Sequence, residues 1–185
     1  VFTEKEFNST EPNILQVGTK ENKNLERVVQ AIQDIPCKLT ILGKLTDNQK
    51  KLLEEKNINY VNRFNLDFSE VIDLYKNTDM VIFASTYEGF GVPILEAHAA
   101  GRPVITSNIS PMKEVAGDGA LLVDPHSDED IRGAITELIT NTDLRQSLIK
   151  KGLDNVQNYS AKAVAKKYEK LYIRILRNPK KQNKE

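Results

Sequence analysis

Tryptophan is missing from this 185-residue chain, cysteine occurs once, histidine twice, and neither sign of charge is in excess. The single thiol, Cys37, excludes an internal disulfide and a zinc cluster, so a reducing compartment and hence the cytoplasm is the expected location. Twenty-six Lys and Arg against 26 Asp and Glu leave no bulk field for nucleic acid. No nucleic-acid partner is therefore expected, and any anion needs a local site. No apolar run approaches the ~20 residues of a membrane span, so no transmembrane segment is expected. The opening Val1-Phe2-Thr3-Glu4-Lys5-Glu6-Phe7 has neither the apolar run nor the basic flank of a secretory signal, and without an initiator Met it reads as a cut or processed chain. Internal repeats, low-complexity blocks and a dividing Pro/Gly/Ser linker are also missing.

What is present is a chain able to bury a core, with 39% hydrophobic and 28% charged residues. Its length is close to one domain of roughly 150 residues with extra terminal helices. The expected plan is an N-terminal extension over 1–12, one domain over 13–178, and a polar tail over 179–185. Short apolar runs at 14–17, 38–42, 58–61, 80–84, 104–106 and 121–123 alternate with helical patterns, which predicts parallel strands joined by crossover helices. The fold class is α/β: a single Rossmann-like, doubly wound, parallel six-stranded sheet with extra C-terminal helices.

Leu25, Val28, Val29 and Ile32 share one helix face, as do Phe68, Val71, Ile72 and Tyr75; both stripes read as core. Thr46 with Gln49 and Asp67 with Glu70 form capping-box patterns, and Pro93 suits a first helical turn. Beyond the last strand, three helices follow, on the faces Ile131-Ala134-Ile135-Leu138, Leu144-Leu148-Ile149 and Val164-Tyr168-Leu171-Tyr172-Ile175. His98, set among small residues, reads as packed helix, His126 as solvent-facing, and Cys37 as a small buried hydrophobe.

Two phosphate fingerprints are missing: Val17-Gly18-Thr19-Lys20-Glu21-Asn22 is neither G-x-G-x-x-G nor a P-loop, and it lacks the clustered acids of a phospho-receiver. The informative stretch is Ser85-Thr86-Tyr87-Glu88-Gly89-Phe90-Gly91-Val92-Pro93-Ile94-Leu95-Glu96, which leaves the fourth strand and enters a helix. Gly89 and Gly91 are expected to supply backbone conformations closed to other residues and to let a ligand approach. Free N–H groups at the helix start favour an anion, and a diphosphate suits them. Carboxylates repel phosphate but accept from hydroxyls, so Glu88 and Glu96 flanking that position suit a nucleotide sugar, with ribose hydroxyls on one side and sugar hydroxyls on the other.

The run Glu88-Gly89-Phe90-Gly91-Val92-Pro93-Ile94-Leu95-Glu96, with Gly101-Arg102-Pro103-Val104-Ile105, Glu114-Val115-Ala116-Gly117 and Leu121-Leu122-Val123-Asp124-Pro125, resembles the nucleotide-sugar-binding domain of retaining, two-Rossmann-domain glycosyltransferases. That group includes glycogen synthases and bacterial mannosyltransferases, and the likeness extends from about Asn13 to Thr140. The resemblance implies that Glu96 holds the ribose hydroxyls and that Glu88 faces the donor sugar near the reacting carbon. It implies that backbone N–H groups of Phe90, Gly91 and Val92 meet the diphosphate or sugar hydroxyls. Gly18-Thr19-Lys20-Glu21-Asn22-Lys23 resembles the family's phosphate loop, with Lys23 at the phosphate lysine. Thr19 stands where many relatives have Arg, which removes a bidentate cation and leaves open whether Lys20 or Arg63 compensates. The base pocket is expected near Tyr60-Val61-Asn62-Arg63-Phe64.

The implied reaction expels a diphosphate from the anomeric carbon and admits an acceptor hydroxyl with retention. Glu88 and Lys23 are the implied catalytic residues; Gly18, Thr19, Arg63, Gly89, Phe90, Gly91, Val92 and Glu96 complete the binding set. No metal and no cofactor are expected, because Lys23 and the helix N-terminus would stabilise the leaving charge. The implied partners are a nucleotide sugar, an acceptor glycan or glycolipid, and an acceptor-binding N-terminal domain or subunit, so the chain alone should bind donor but transfer poorly. A placement at the cytoplasmic face of a membrane is compatible. A non-catalytic nucleotide- or sugar-phosphate-binding module acting through a protein partner is the alternative; both keep Glu96 and the glycine loop, but only the enzyme needs Glu88.

Overall fold

Each expected apolar run enters one parallel sheet. β1 (Asn13–Val17), β2 (Lys38–Leu42), β3 (Tyr60–Arg63), β4 (Met80–Phe83), β5 (Val104–Ser107) and β6 (Ala120–Val123) lie in the order β3-β2-β1-β4-β5-β6. Every pairing is parallel, as a doubly wound sheet requires. The computed structural model describes residue 2 and residues 4–177; the expected polar tail over 179–185 lies outside the described residues.

The crossovers are α1 (Leu25–Ile32), α2 (Asp47–Glu55), α3 (Phe68–Asn77), α4 (Val92–Ala100) and α5 (Met112–Ala116), followed by α6 (Asp128–Thr140), α7 (Thr142–Gln157) and α8 (Ala161–Arg177). Side chains alternate across the strands and feed two cores. Met80, Ile82 and Ala84 point to the side of α1, α2 and α6, whereas Val81 and Phe83 point to that of α3, α4 and α5. A strand buried on both faces reads as a continuous apolar run, which is why β4 is the clearest strand in the sequence. Both capping boxes form, at Thr46–Gln49 and Asp67–Glu70.

Two expectations need correction. The third strand begins at Tyr60, not Ile58, because Asn57 and Ile58 finish α2: the Asn57 N–H donates to the Glu54 carbonyl and the Ile58 N–H to the Leu53 carbonyl, each at 3.0 Å. With Asn57 at φ +50°, this is a Schellman motif, and Ile58 packs on the core as its apolar partner. The stripe on α3 is only partly core. Tyr75 is buried and Val71 and Leu74 pack inward, but Phe68 is 79% exposed, because the first turn of α3 reaches past the core that the rest of the helix shares with α4.

The segment ahead of β1 is bound to the fold. Buried Asp79 accepts from the backbone N–H groups of Asn8 at 3.1 Å and Asn13 at 2.8 Å, and it pairs with Lys5. Phe7 lies under the Arg145 guanidinium, 4.1 Å from its ring centre, while Arg145 donates to the Leu138 carbonyl at 2.7 Å and so caps the end of α6. Cys37 is buried as expected, and burial, with Glu11 nearby, pushes its thiol up to about 11.

His98 of α4 is a packing residue. It is 1% exposed, its Nε2 lies 3.0 Å from the Gly119 carbonyl, and Asn155 of α7 approaches its Nδ1 at 3.4 Å. A Cβ on Gly152 would stand 2.6 Å from its Cδ2, so only glycine lets α7 close on this ring. Gly152→Ala should therefore cost about 1–3 kcal/mol, read as a lower urea midpoint. Burial lowers the His98 pKa below its ordinary value, so the unfolded chain binds the proton more readily. The stability this group contributes is complete above the unfolded value near 6.5 and is lost as pH falls below it. The melting temperature should drop between pH 7.5 and 5.5, and His98→Gln should flatten that slope.

Candidate functional site

The order of strands makes β1 and β4 neighbours, so the loops leaving their C-terminal ends share one edge of the sheet. After β1 the chain turns at Gly18, whose φ is +93°. The stem of Lys23 folds back over this residue: a Cβ there would lie 2.7 Å from Lys23 Cγ and 2.9 Å from Cε. Glycine is thus required twice, for its dihedral and for the room it leaves. Gln16 donates from Nε2 to the Lys23 carbonyl at 2.9 Å, and a short 3-10 turn, Glu21–Lys23, ends at Asn24 with φ +60°.

Two asparagines hold this loop to its neighbours. Buried Asn24 donates from Nδ2 to the carbonyls of Ala84 at 2.9 Å and Pro125 at 2.7 Å, joining the exits of β1, β4 and β6. Asn22 donates to the Tyr87 carbonyl at 2.8 Å and reaches Glu88 Oε1 at 3.3 Å, and its own carbonyl accepts from the Thr86 N–H at 2.9 Å. The two loops are therefore fixed to each other before any ligand arrives.

At their meeting point, Lys23 Nζ lies 2.5 Å from Glu88 Oε1, although the residues are 65 apart in sequence. Their side chains are 19% and 13% exposed, and the ammonium stands 4.6 Å from the centre of the Phe83 ring. Burial of either charge alone would be costly, so each compensates the other. An anion reaching Lys23 must compete with Glu88, and by taking the ammonium it would release the carboxylate.

Gly91 caps α4 at φ +110°, ψ +43°. Gly89 differs from expectation: its φ lies outside the left-handed region, and nothing stands within 4 Å of the place a Cβ would occupy. The freedom of glycine is used at Gly91, whereas at Gly89 the missing side chain leaves open ground. Helices α2, α3, α6 and α7 begin with side-chain caps; α1, α4 and α5 do not, and α1 and α4 border this ground. At the start of α4 Pro93 has no N–H and the Ile94 N–H donates to the Gly91 carbonyl at 3.0 Å, which leaves the Val92 N–H to an anion.

The remaining candidates are spread more widely. Glu96, exposed on α4, accepts at Oε2 from the Tyr75 hydroxyl at 2.6 Å, so it turns to α3 while Glu88 turns to the β1 loop. Phe90 and Val92 are 42% and 53% exposed, and Phe90 meets Tyr159 edge-on at 5.8 Å. Thr19 is not part of the Lys23–Glu88 group: its hydroxyl donates to the Lys44 carbonyl at 2.8 Å and ties the β1 loop to the β2 loop. Arg63 is not gathered either. It ends the edge strand β3, two strands from β1 or about 10 Å away, with an exposed side chain. Asn22, Asn24 and Tyr75 were missed by sequence reasoning; the tolerance of Asn for left-handed backbone gave a signal at Asn24, but Asn22 gave none. Among the described residues, no group of three or more His, Cys, Asp or Glu side chains is placed to hold a metal, and no helix is long and apolar enough to cross a membrane.

Gly18→Ala should distort the β1 turn and displace the Lys23 stem. A loss of about 1–3 kcal/mol in stability would follow from overpacking alone, and equal urea midpoints for variant and parent would disprove the packing described.

Three known proteins frame this geometry. The chain is 28% identical over 163 residues to O-antigen chain mannosyltransferase B of Escherichia coli, covering 79% of this chain and 42% of that protein. It thus spans less than half the length of that relative. Its fold matches sucrose-phosphate synthase of Thermosynechococcus elongatus with a TM-score of 0.78 and 24% identity, over 92% of this chain and 47% of the other. It also matches the C-terminal domain of a glycosyl transferase group 1 family protein from Francisella tularensis, with a TM-score of 0.69 and 22% identity, over 80% of this chain and 85% of that domain. The family model for glycosyl transferases group 1 matches residues 2–154, and the chain belongs to that family.

Proposed function

We propose that this chain is the donor-binding domain of a retaining glycosyltransferase and holds a nucleotide diphosphate sugar at the C-terminal ends of β1 and β4. The observation that carries the reading is the Lys23–Glu88 pair, set beside an uncapped helix start and the open ground at Gly89. The diphosphate takes Lys23 and the N–H groups of Phe90, Gly91 and Val92, where charge develops as the anomeric bond breaks. Glu88, released from Lys23, faces the donor sugar near the reacting carbon. Glu96 accepts from the ribose hydroxyls. Gly18 and Thr19 contribute loop shape, and Arg63 is left to the base end of the ligand. Lys23 and the helix start carry the charge, so no metal or cofactor is invoked.

The mannosyltransferase relative supports a hexose donor and a glycan or glycolipid acceptor. The acceptor is bound by another domain or subunit, and this chain alone transfers poorly. Helix α8 favours such a partner: it buries no residue, and Tyr168, Leu171, Tyr172 and Ile175 stand 42–59% exposed along one face. The assembled enzyme works in the cytoplasm, at the membrane surface if its acceptor is a lipid.

Thermal titration with UDP, GDP, ADP and their sugar conjugates tests the donor site. One base should raise the melting temperature with or without magnesium, and the shift should shrink in Glu96→Ala. At ~100 times the dissociation constant, the added stability is ~2.7 kcal/mol. Lys23→Ala should weaken a nucleoside diphosphate about tenfold or more and the monophosphate less. Glu88→Gln removes the carboxylate that competes for Lys23, so it should leave nucleotide affinity intact or raise it while abolishing transfer by the complete enzyme. Unchanged transfer by that variant would overturn the catalytic assignment of Glu88.

A further inference from the structure

The seam between α3 and α4 contains a polar contact that neither core packing nor helix capping explains. Tyr75 is 3% exposed, and its ring belongs to the core formed by Leu15, Val81, Phe83 and Ile94. Its hydroxyl emerges at the edge of that core and donates to Glu96 Oε2 at 2.6 Å, within the short range of a hydroxyl bound to a carboxylate. Above the contact is a shallow notch of about 170 Å³ with apolar walls from Phe68, Ile72 and Ala99. Glu96 Oε1 has no protein partner among the described residues. One oxygen of the carboxylate is anchored, and the other is left for a ligand.

An exposed glutamate on a helix ordinarily samples several rotamers, and a ligand that needs one of them bears the loss of that freedom on binding. A donor fixed in a packed ring removes the cost beforehand. Tyr75 suits this task because burial, then the charge of Glu96 and the hydrogen bond to it, hold its phenol well above the usual 10. At neutral pH it keeps its proton, and Glu96 is the acceptor to which that proton is directed. Phenylalanine would pack equally well here and leave the carboxylate loose.

We propose that Tyr75 is a positioning residue for ribose recognition: it holds Glu96 by Oε2 and leaves Oε1 as the acceptor for a ribose hydroxyl. This rests on the donor-site reading above and deepens it, since it makes discrimination between ribose and deoxyribose a property of a residue on α3 that does not itself touch the ligand.

The test compares dissociation constants of UDP, GDP and ADP with those of their 2′,3′-dideoxy forms, measured calorimetrically on the 185-residue chain. Wild type should prefer the ribose form of its nucleotide, and Glu96→Ala should lose that preference. Tyr75→Phe, with its fold checked by melting temperature, should reduce the preference about tenfold while leaving affinity for the dideoxy form unchanged. Phe68→Ala opens the same notch without removing the hydroxyl and should keep the full preference. If Tyr75→Phe keeps the wild-type preference while Glu96→Ala loses it, the positioning role is overturned and the donor site stands. A loss in Phe68→Ala equal to that in Tyr75→Phe would reduce the effect to packing and overturn it as well. Should Glu96→Ala retain the preference, or should wild type bind no nucleotide, the donor reading fails and takes this inference with it.

Discussion

The contact between β1 and β4 is the constraint on which the rest of this molecule depends. In a doubly wound parallel sheet the chain builds outward from β1 to one edge, then crosses back and builds to the other. The crossing makes β1 the partner of both β2 and β4. At that switch the loops after β1 and β4 have helices leaving on opposite faces and nothing between them. Lys23 and Glu88 meet there because the topology leaves their loops no other place.

The groups that maintain this arrangement are not those with the most apparent chemistry. Asn24 bonds two carbonyls from different strand exits, and Asn22 binds one loop with both its side chain and its backbone. Such contacts are neutral hydrogen bonds in partly buried surroundings, each worth about 1 kcal/mol. Together they fix loops that would otherwise carry the mobility typical of connections. The buried charges at the opposite end of the sheet serve a similar purpose: Asp79 draws in the segment before β1, while Arg102 donates to the Tyr75 and Lys76 carbonyls at the end of α3. Because α3 is fixed at that end, Tyr75 meets Glu96 at a defined point on the seam.

Some of this was legible in the residues. β4 reads as a strand because burial on both faces turns alternation into a continuous apolar run, and the capping boxes read correctly because they are local, spanning three residues. The errors share an opposite cause. Ile58 is apolar and precedes a strand, but its N–H was needed to close α2; Phe68 repeats at helical spacing, but no layer lies over it. Gly89 and Gly91 look alike in sequence, yet only Gly91 adopts the left-handed region. The motif position of Thr19 does not show the partner of its hydroxyl, which turns to Lys44 where Gly43 leaves the space for it.

By itself the sequence determined the succession of strands and helices along the chain, the parallel class, the glycine loop with its two flanking acids, and a lysine in the first loop, since periodicity, turn residues and motif spacing are local quantities. Tertiary structure alone decided which of these meet. It paired Lys23 with Glu88, sent Glu96 to Tyr75 instead, kept Arg63 two strands from β1, and left the apolar face of α8 uncovered. Those outcomes depend on strand order and on which helix covers which face, and neither is encoded within the few residues over which a sequence pattern can be read.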